Sequence, residues 1–180
     1  MALLTAVVGL GLVGCSPRTP ATIGSTSGGT EHMGKVVPAP DKVTGAPQAP
    51  DLSTPTSAVR SYLAWTSFAY RIGYSDIATK TMGPEEEVRV DSYLQLNRQQ
   101  NKRLDQTLKS IDARVVSQEG TRAIVAAHEA WVYHYTSDTD PPKSLTPEYT
   151  ASYDTTYTLG KVGPTWVVKS VDAKPLGEVK

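Results

Sequence analysis

The sequence is short of cysteine, of an excess of basic residues and of long apolar runs, and each shortage excludes a class of protein or site. It contains a single cysteine, Cys15, which excludes an internal disulfide framework and any metal site built from several thiolates. Lys+Arg and Asp+Glu are equal at 18 each, whereas a nucleic-acid-binding domain would show a basic excess. The uncharged, mostly apolar run at residues 2–13 is shorter than the about 20 residues that a membrane-spanning helix needs.

The aromatic residues and the prolines divide the chain into two parts. All 13 aromatic residues lie within residues 62–166, whereas seven of the 13 prolines lie within residues 17–55. A segment rich in Pro, Gly, Ser and Thr and without rings cannot bury enough apolar surface to offset its ordering entropy. We therefore expect a disordered linker over residues 15–53 and one domain over residues 54–180. A chain that begins near Asp51 should then unfold at the same midpoint as the longer protein.

The N-terminal apolar run ends in Leu12-Val13-Gly14-Cys15, which resembles the lipobox of bacterial lipoproteins. In that family a small residue, here Gly14, precedes the cleavage site, and the cysteine becomes the lipid-modified first residue of the mature chain. The resemblance implies a signal peptide at residues 1–14 and a lipid anchor on Cys15 at the outer, extracytoplasmic face of the cell membrane. Because no Lys or Arg precedes Cys15, we expect the natural start to lie upstream of Met1.

Two helices are predicted at the start of the domain. Thr54-Pro55 forms a typical helix start, and apolar and aromatic residues then recur at three- and four-residue steps as far as Gly73. A second helix begins at Pro84, with the acids of residues 85–87 in its first turn, where the helix dipole favours negative charge. We expect this helix to end between residues 104 and 108.

From Ile111 onward the pattern has a period of two, which indicates strands. In the segment from Tyr149 to Leu159, apolar and aromatic side chains alternate with polar ones, so one face of the sheet is packed and the other is in water. The order of elements is α, α, β, β, β, β. The strands are predicted near residues 111–115, 122–135, 149–159 and 165–171.

This order, together with the segment YTASYDTTYTLGKVGPTWVVKSV at residues 149–171, resembles the nuclear transport factor 2-like superfamily. That superfamily includes the polyketide cyclase and ketosteroid isomerase branches and the related IMS domains, and the resemblance covers about residues 54–174. It implies an α+β cone, in which helices are packed on one face of a curved antiparallel four-stranded sheet, with a pocket at the wide end. The fold hosts enzymes, binding modules and structural domains, so it does not assign a function.

Catalysis in such a cone would need a carboxylate base and a hydroxyl that stabilises an enolate. The weak candidates are Glu129, which shares a strand face with Trp131, and Asp91 on the second helix. Neither forms a recognisable acid pair by spacing, and we expect Glu129 to be solvated or salt-bridged. His128 and His134 would be about 20 Å apart on one strand, too far to share a zinc ion. We therefore predict no catalytic residue, no metal and no cofactor.

The aromatic residues are the remaining candidates. A ring offers a large contact area and its polar tip orients a ligand, so these side chains could line a pocket. The same rings also suit the core of a sheet beneath a ring-rich helix, which is the interpretation that we prefer from sequence alone. The possible pocket lining is Trp65, Tyr70, Trp131, Tyr133, Tyr153 and Tyr157.

The sequence therefore favours a membrane-anchored, extracytoplasmic lipoprotein whose domain is a non-enzymatic module for a protein or cell-envelope partner. A homodimer through the sheet is a further expectation, and nucleic acid is not an expected partner. The alternative is a small-molecule-binding pocket or a low-efficiency isomerase-like or cyclase-like enzyme. One observable separates the two: the first predicts a filled cone, and the second an open cavity that contains a buried carboxylate.

Overall fold

The computed structural model describes residues 44–139 and 141–177, and the lipobox with Cys15 lies outside these residues. None of the helices in this part of the chain combines the length and the apolar character that crossing a membrane requires. Two α-helices and a 3₁₀ helix precede four strands. The elements are α1 (Pro55–Ile72), the 3₁₀ helix (Asp76–Thr81), α2 (Pro84–Gln99), β1 (Lys102–Glu119), β2 (Arg122–Ser137), β3 (Tyr149–Val162) and β4 (Thr165–Pro175).

The four strands form one antiparallel sheet in the order β1-β2-β3-β4. Gly120 and Gly163, with φ values of 55° and 60°, occupy the tight turns of the first and last hairpins, where glycine adopts the left-handed conformation without strain. The pairing of β1 with β2 shifts register within residues 108–110 and 115–117. Such bulges bend a strand and increase its twist. The sheet is therefore curved, and its concave face meets the helices.

The first helix begins and ends as its sequence predicts. The backbone N–H of Ser57 donates a hydrogen bond to the Thr54 hydroxyl at 3.2 Å, and Pro55 takes the first helical position. At the other end, Gly73 has a φ of 81°, and its N–H donates to the carbonyl of Ala69 at 2.8 Å. These caps satisfy backbone groups that the helix itself leaves unpaired.

The second helix ends earlier than predicted. It stops at Gln99, and the left-handed backbone of Asn101, with a φ of 52°, turns the chain into β1. Leu104 is buried as a strand residue that pairs with Tyr135, so the expectation of a helix end between residues 104 and 108 is wrong. Helical spacing at these positions is overridden by pairing with β2, which only the folded chain supplies.

The predicted α+β class is confirmed, with helices on one face of a curved antiparallel four-stranded sheet. The core lies between the helices and the concave face of the sheet. Trp131 on β2 and Trp166 on β4 are 7% and 2% exposed, and both belong to this core with Tyr62 and Leu63 of α1.

The end of the predicted linker is part of the folded domain. We call residues 44–52 the N-terminal strap. The Trp65 indole N–H donates to the carbonyl of Gln48 at 3.2 Å, and the Trp166 backbone N–H donates to the carbonyl of Leu52 at 2.9 Å. Leu52 also packs against the core.

These contacts correct the expected linker boundary. Residues 44–53 were assigned to the linker because they are rich in proline and lack rings, but backbone carbonyls require no particular side chain to accept a hydrogen bond. The donors that hold the strap, the Trp65 indole N–H and the Trp166 backbone N–H, are supplied by the domain. The expectation that a chain beginning near Asp51 loses no packed contacts is therefore wrong.

Removal of the N-terminal strap is expected to lower stability. A chain that begins at Ser53 loses the hydrogen bonds that the backbone carbonyls of residues 45, 48, 51 and 52 accept, and also the partial burial of Leu52. Together these contacts contribute about 2 to 4 kcal/mol. Its urea midpoint should lie below that of a chain that begins at Thr44, with an almost unchanged slope. Equal midpoints for the two chains would show that the strap contributes nothing to stability.

Candidate functional site

A cavity lies between the concave face of the sheet and the helices. Its volume is about 350 Å³, which is within the range of small-molecule sites. The wall of the cavity includes the polar residues Glu129, Arg89 and Thr155. Eight of the lining residues are aromatic, namely Tyr62, Tyr70, Tyr93, Trp131, Tyr133, Tyr135, Tyr153 and Tyr157.

The helical and strand periods account for this clustering of rings. In α1, Tyr62, Thr66 and Tyr70 follow one another at four-residue steps, so they lie on one face of the helix. In the sheet, directly paired residues share a face, and Glu129 of β2 pairs with Tyr153 of β3. Alternate residues of both strands therefore point at the same face of α1.

The structure brings together five of the six residues that were named as a possible pocket lining, namely Tyr70, Trp131, Tyr133, Tyr153 and Tyr157. Trp65 lies elsewhere. It immediately precedes Thr66 in the sequence, so its side chain points about 100° away around α1. Trp65 lines a separate groove beside the N-terminal strap.

Glu129 is the buried carboxylate of the cavity. It is 3% exposed, and the indole N–H of Trp131 donates a hydrogen bond to its Oε2 at 2.8 Å. The Tyr157 hydroxyl donates to its Oε1. Both donors are neutral, and among the described residues no cationic side chain forms an ion pair with Glu129. The expectation of a solvated or salt-bridged Glu129 is wrong, because pairing of β2 with β3 places it beneath the helices.

Two tyrosines of the cavity wall, Tyr70 and Tyr157, are held in their neutral form. Burial raises the pKa of Tyr70 to about 12. Burial also raises the pKa of Tyr157 well above its ordinary value, and the charge of Glu129 and the hydrogen bond to it act in the same direction. The cavity therefore offers neutral phenol oxygens at physiological pH.

A second buried carboxylate lies between the helices. Glu86 is 2% exposed and accepts hydrogen bonds from Tyr62 and from Arg89, whose Nε lies 2.9 Å from Oε2. The Arg89 guanidinium also donates to the Tyr62 hydroxyl at 3.1 Å. Burial is the main cause that raises the pKa of Tyr62. The carboxylate of Glu86 thus compensates the positive charge that Arg89 brings to the cavity wall.

Sequence reasoning missed this cluster, although a signal was present. The acids at the start of α2 were interpreted as partners of the helix dipole, yet Glu86 and Arg89 are three residues apart and so lie on one face of the helix. The Thr155 hydroxyl was also missed. It is buried in the cavity wall and, among the described residues, has no hydrogen bond of ordinary geometry.

Asp91, the other candidate base, does not line the cavity. The Ser75 hydroxyl donates a hydrogen bond to Oδ1 of Asp91 at 2.9 Å. The Asp91 carboxylate therefore connects α2 to the residue that precedes the 3₁₀ helix. On the outer face of the sheet, Asp154 lies 3.1 Å from the His128 ring and is exposed. Of the three acids, only Glu129 faces the interior of the cone.

Comparisons with known proteins support the fold alone. No protein-family model matches the sequence, and no curated protein matches it. The chain is similar to the intermembrane space region of the chloroplast protein ARC6, with a TM-score of 0.55 and 18% identity over 72% of this chain and 100% of that one. It is also similar to an NTF-2 like protein of unknown function from Shewanella oneidensis MR-1, with a TM-score of 0.41 and 16% identity over 67% and 98% of the chains.

Replacement of Glu129 by glutamine is expected to stabilise the unliganded domain. The amide oxygen can accept from Trp131 and the amide group can donate to Tyr157, while the cost of burying an unpaired charge disappears. The free energy of unfolding should rise by about 1 kcal/mol. Denaturant titration of the two proteins measures the difference, and a loss of stability in the variant would contradict this account of Glu129.

Proposed function

We propose that the domain is a non-enzymatic binding module whose cone takes a small ligand with a flat or apolar body, on a chain anchored to the outer face of the cell membrane through Cys15. One observation carries the choice of a ligand pocket. The cone contains an open cavity with the buried carboxylate Glu129 in its wall, which is the arrangement that distinguishes a binding pocket from a filled interaction domain.

The composition of the wall supports a ligand with apolar surface. Aromatic rings bury large areas at low cost in conformational entropy, and tyrosine hydroxyls add polar contacts that orient a bound molecule. Tyr133 and Tyr135 on β2 are only half-buried, whereas Trp131 is buried. The cavity therefore opens to solvent at the end where the former two lie, and a small molecule can enter there.

The hydrogen bonds of Glu129 support binding over catalysis. Each of its oxygens already accepts a hydrogen bond, from Trp131 and from Tyr157. A general base must reach the proton that it removes, so one of these bonds would have to be broken first. Asp91 lies outside the cavity and supplies no second carboxylate. We therefore do not propose an isomerase or cyclase activity.

A macromolecular partner is a second part of the proposal. Val88 and Leu96 lie exposed on α2, with 66% and 50% of their surface accessible, and these side chains suit contact with a protein or cell-envelope component. The outer face of the sheet is polar, with Asp112, Asp154 and Lys174 among its residues. A homodimer through the sheet stays a prediction.

The membrane anchor rests on the sequence Leu12-Val13-Gly14-Cys15, which lies outside the described residues. Its resemblance to a lipobox supports cleavage before Cys15 and attachment of acyl chains to this cysteine. Two or more acyl chains hold a protein at a membrane far more firmly than one. The cone would then face the extracytoplasmic space.

The pocket is tested with indole as a flat, neutral probe, whose binding calorimetry can measure. Phenylalanine in place of Ala173, a rim residue of β4 that pairs with Thr155, is expected to block the cavity and weaken indole binding at least tenfold. The matched control is Ser170→Phe, which places the same ring on the opposite face of β4 and should leave the affinity unchanged. Absence of indole binding to the unmodified protein would refute a pocket for flat, neutral ligands.

The anchor is tested by Cys15→Ala in the bacterial host, expressed from the natural start. This change removes the only thiol of the sequence, so metabolic labelling with a fatty-acid analogue should be lost and uncleaved precursor should accumulate. A serine substitution for Thr19 leaves the lipobox intact and serves as the control. Continued acylation of the alanine variant would contradict the assignment.

A further inference from the structure

The charges in the wall of the cone do not balance. Two charged side chains line the cavity, Arg89 and Glu129. Arg89 is paired with Glu86 through two of its nitrogens, whereas Glu129 has no cationic partner among the described residues. The wall therefore carries one uncompensated negative charge.

Both hydrogen-bond partners of Glu129 are donors. The Trp131 indole nitrogen can only donate a hydrogen bond, and the Tyr157 hydroxyl donates to the other oxygen. Donors on both oxygens stabilise a carboxylate. A buried charge without a counter-charge is costly, and a bound cation would offset that cost.

The rings that surround this charge attract cations as well. The face of an aromatic ring is negative, and an ammonium group within about 6 Å of the ring centroid is stabilised. One ring at the mouth already shows this contact, because the Lys102 ammonium lies 4.2 Å from the centroid of Tyr135. Tyr133 stands beside it, with its centroid 6.5 Å from that of Tyr135.

We infer that the ligand of this cone is a small organic cation, an alkylammonium or quaternary ammonium compound whose charged group lies beside Glu129 and against the tyrosine rings. This inference rests on the proposed function and names the ligand class of the same cavity. The neutral phenols line the remaining wall, where they contact the apolar substituents of the ligand. The Thr155 hydroxyl, which has no hydrogen bond of ordinary geometry among the described residues, can hydrogen-bond to a polar group of the ligand.

Three probes of similar shape separate charge from size. They are choline, its neutral carbon analogue dimethylbutanol, in which carbon replaces the quaternary nitrogen, and the anion pivalate. Calorimetric titrations at one fixed ionic strength should give choline an affinity about tenfold above that of dimethylbutanol, with pivalate the weakest. This order of affinities is expected because the Glu129 carboxylate and the negative faces of the surrounding rings attract a cation and repel an anion.

The carboxylate is then tested directly. Glu129→Gln keeps the size and the hydrogen-bonding capacity of the side chain but removes its charge, so the preference for choline over dimethylbutanol should fall severalfold, to the part that the rings supply. The control is Asp154→Asn, which removes an exposed carboxylate from the outer face of the sheet and should preserve the preference for choline. Loss of the preference in both variants would assign it to general electrostatics and overturn the role of Glu129.

The outcomes also separate this inference from the proposed function. If dimethylbutanol binds as tightly as choline, or pivalate binds more tightly than either, the inference of a cationic ligand is overturned while the pocket remains supported. If indole and all three probes fail to bind, the pocket itself is refuted. A choline preference that depends on Glu129 supports both.

Discussion

The hydrogen bonds that Trp131 and Tyr157 donate to the buried carboxylate of Glu129 organise the interior of this domain. The bond from Tyr157 joins β3 to β2 across the concave face, the bond from Trp131 lies within β2, and the carboxylate that they hold is 3% exposed. Such a carboxylate costs free energy unless its oxygens are satisfied, and both are. The orientation of the indole and phenol rings, and with it the shape of the cavity wall, depends on this arrangement.

The cavity itself results from curvature. A flat sheet would bring the side chains of its inner face into full contact with α1, whereas bulges such as those of β1 bend a sheet. At the narrow end Leu159 and Val168 are fully packed beneath the helices. At the wide end Tyr133 and Tyr135 remain half-buried. The same set of aromatic side chains thus forms a core at one end and a ligand-sized space at the other.

Much of the fold could be predicted because it depends on local periods. The cap at Thr54, the helical spacing to Gly73 and the alternation of β3 are properties of neighbouring residues. The end of α2 and the position of the N-terminal strap could not be predicted in this way. Both depend on partners far along the chain, namely the pairing of β1 with β2 and the bond from Trp166 to the carbonyl of Leu52.

For the candidate site, the sequence by itself determined which rings share a strand face and that Glu129 lies among them. It left open whether those rings fill the cone or line a cavity, because composition does not set the distance between a helix and a sheet. The tertiary structure decided this through the curvature of the sheet. It also decided that Arg89 pairs with Glu86 and that no cationic side chain of the described residues pairs with Glu129, since ion pairing requires atoms to meet in space.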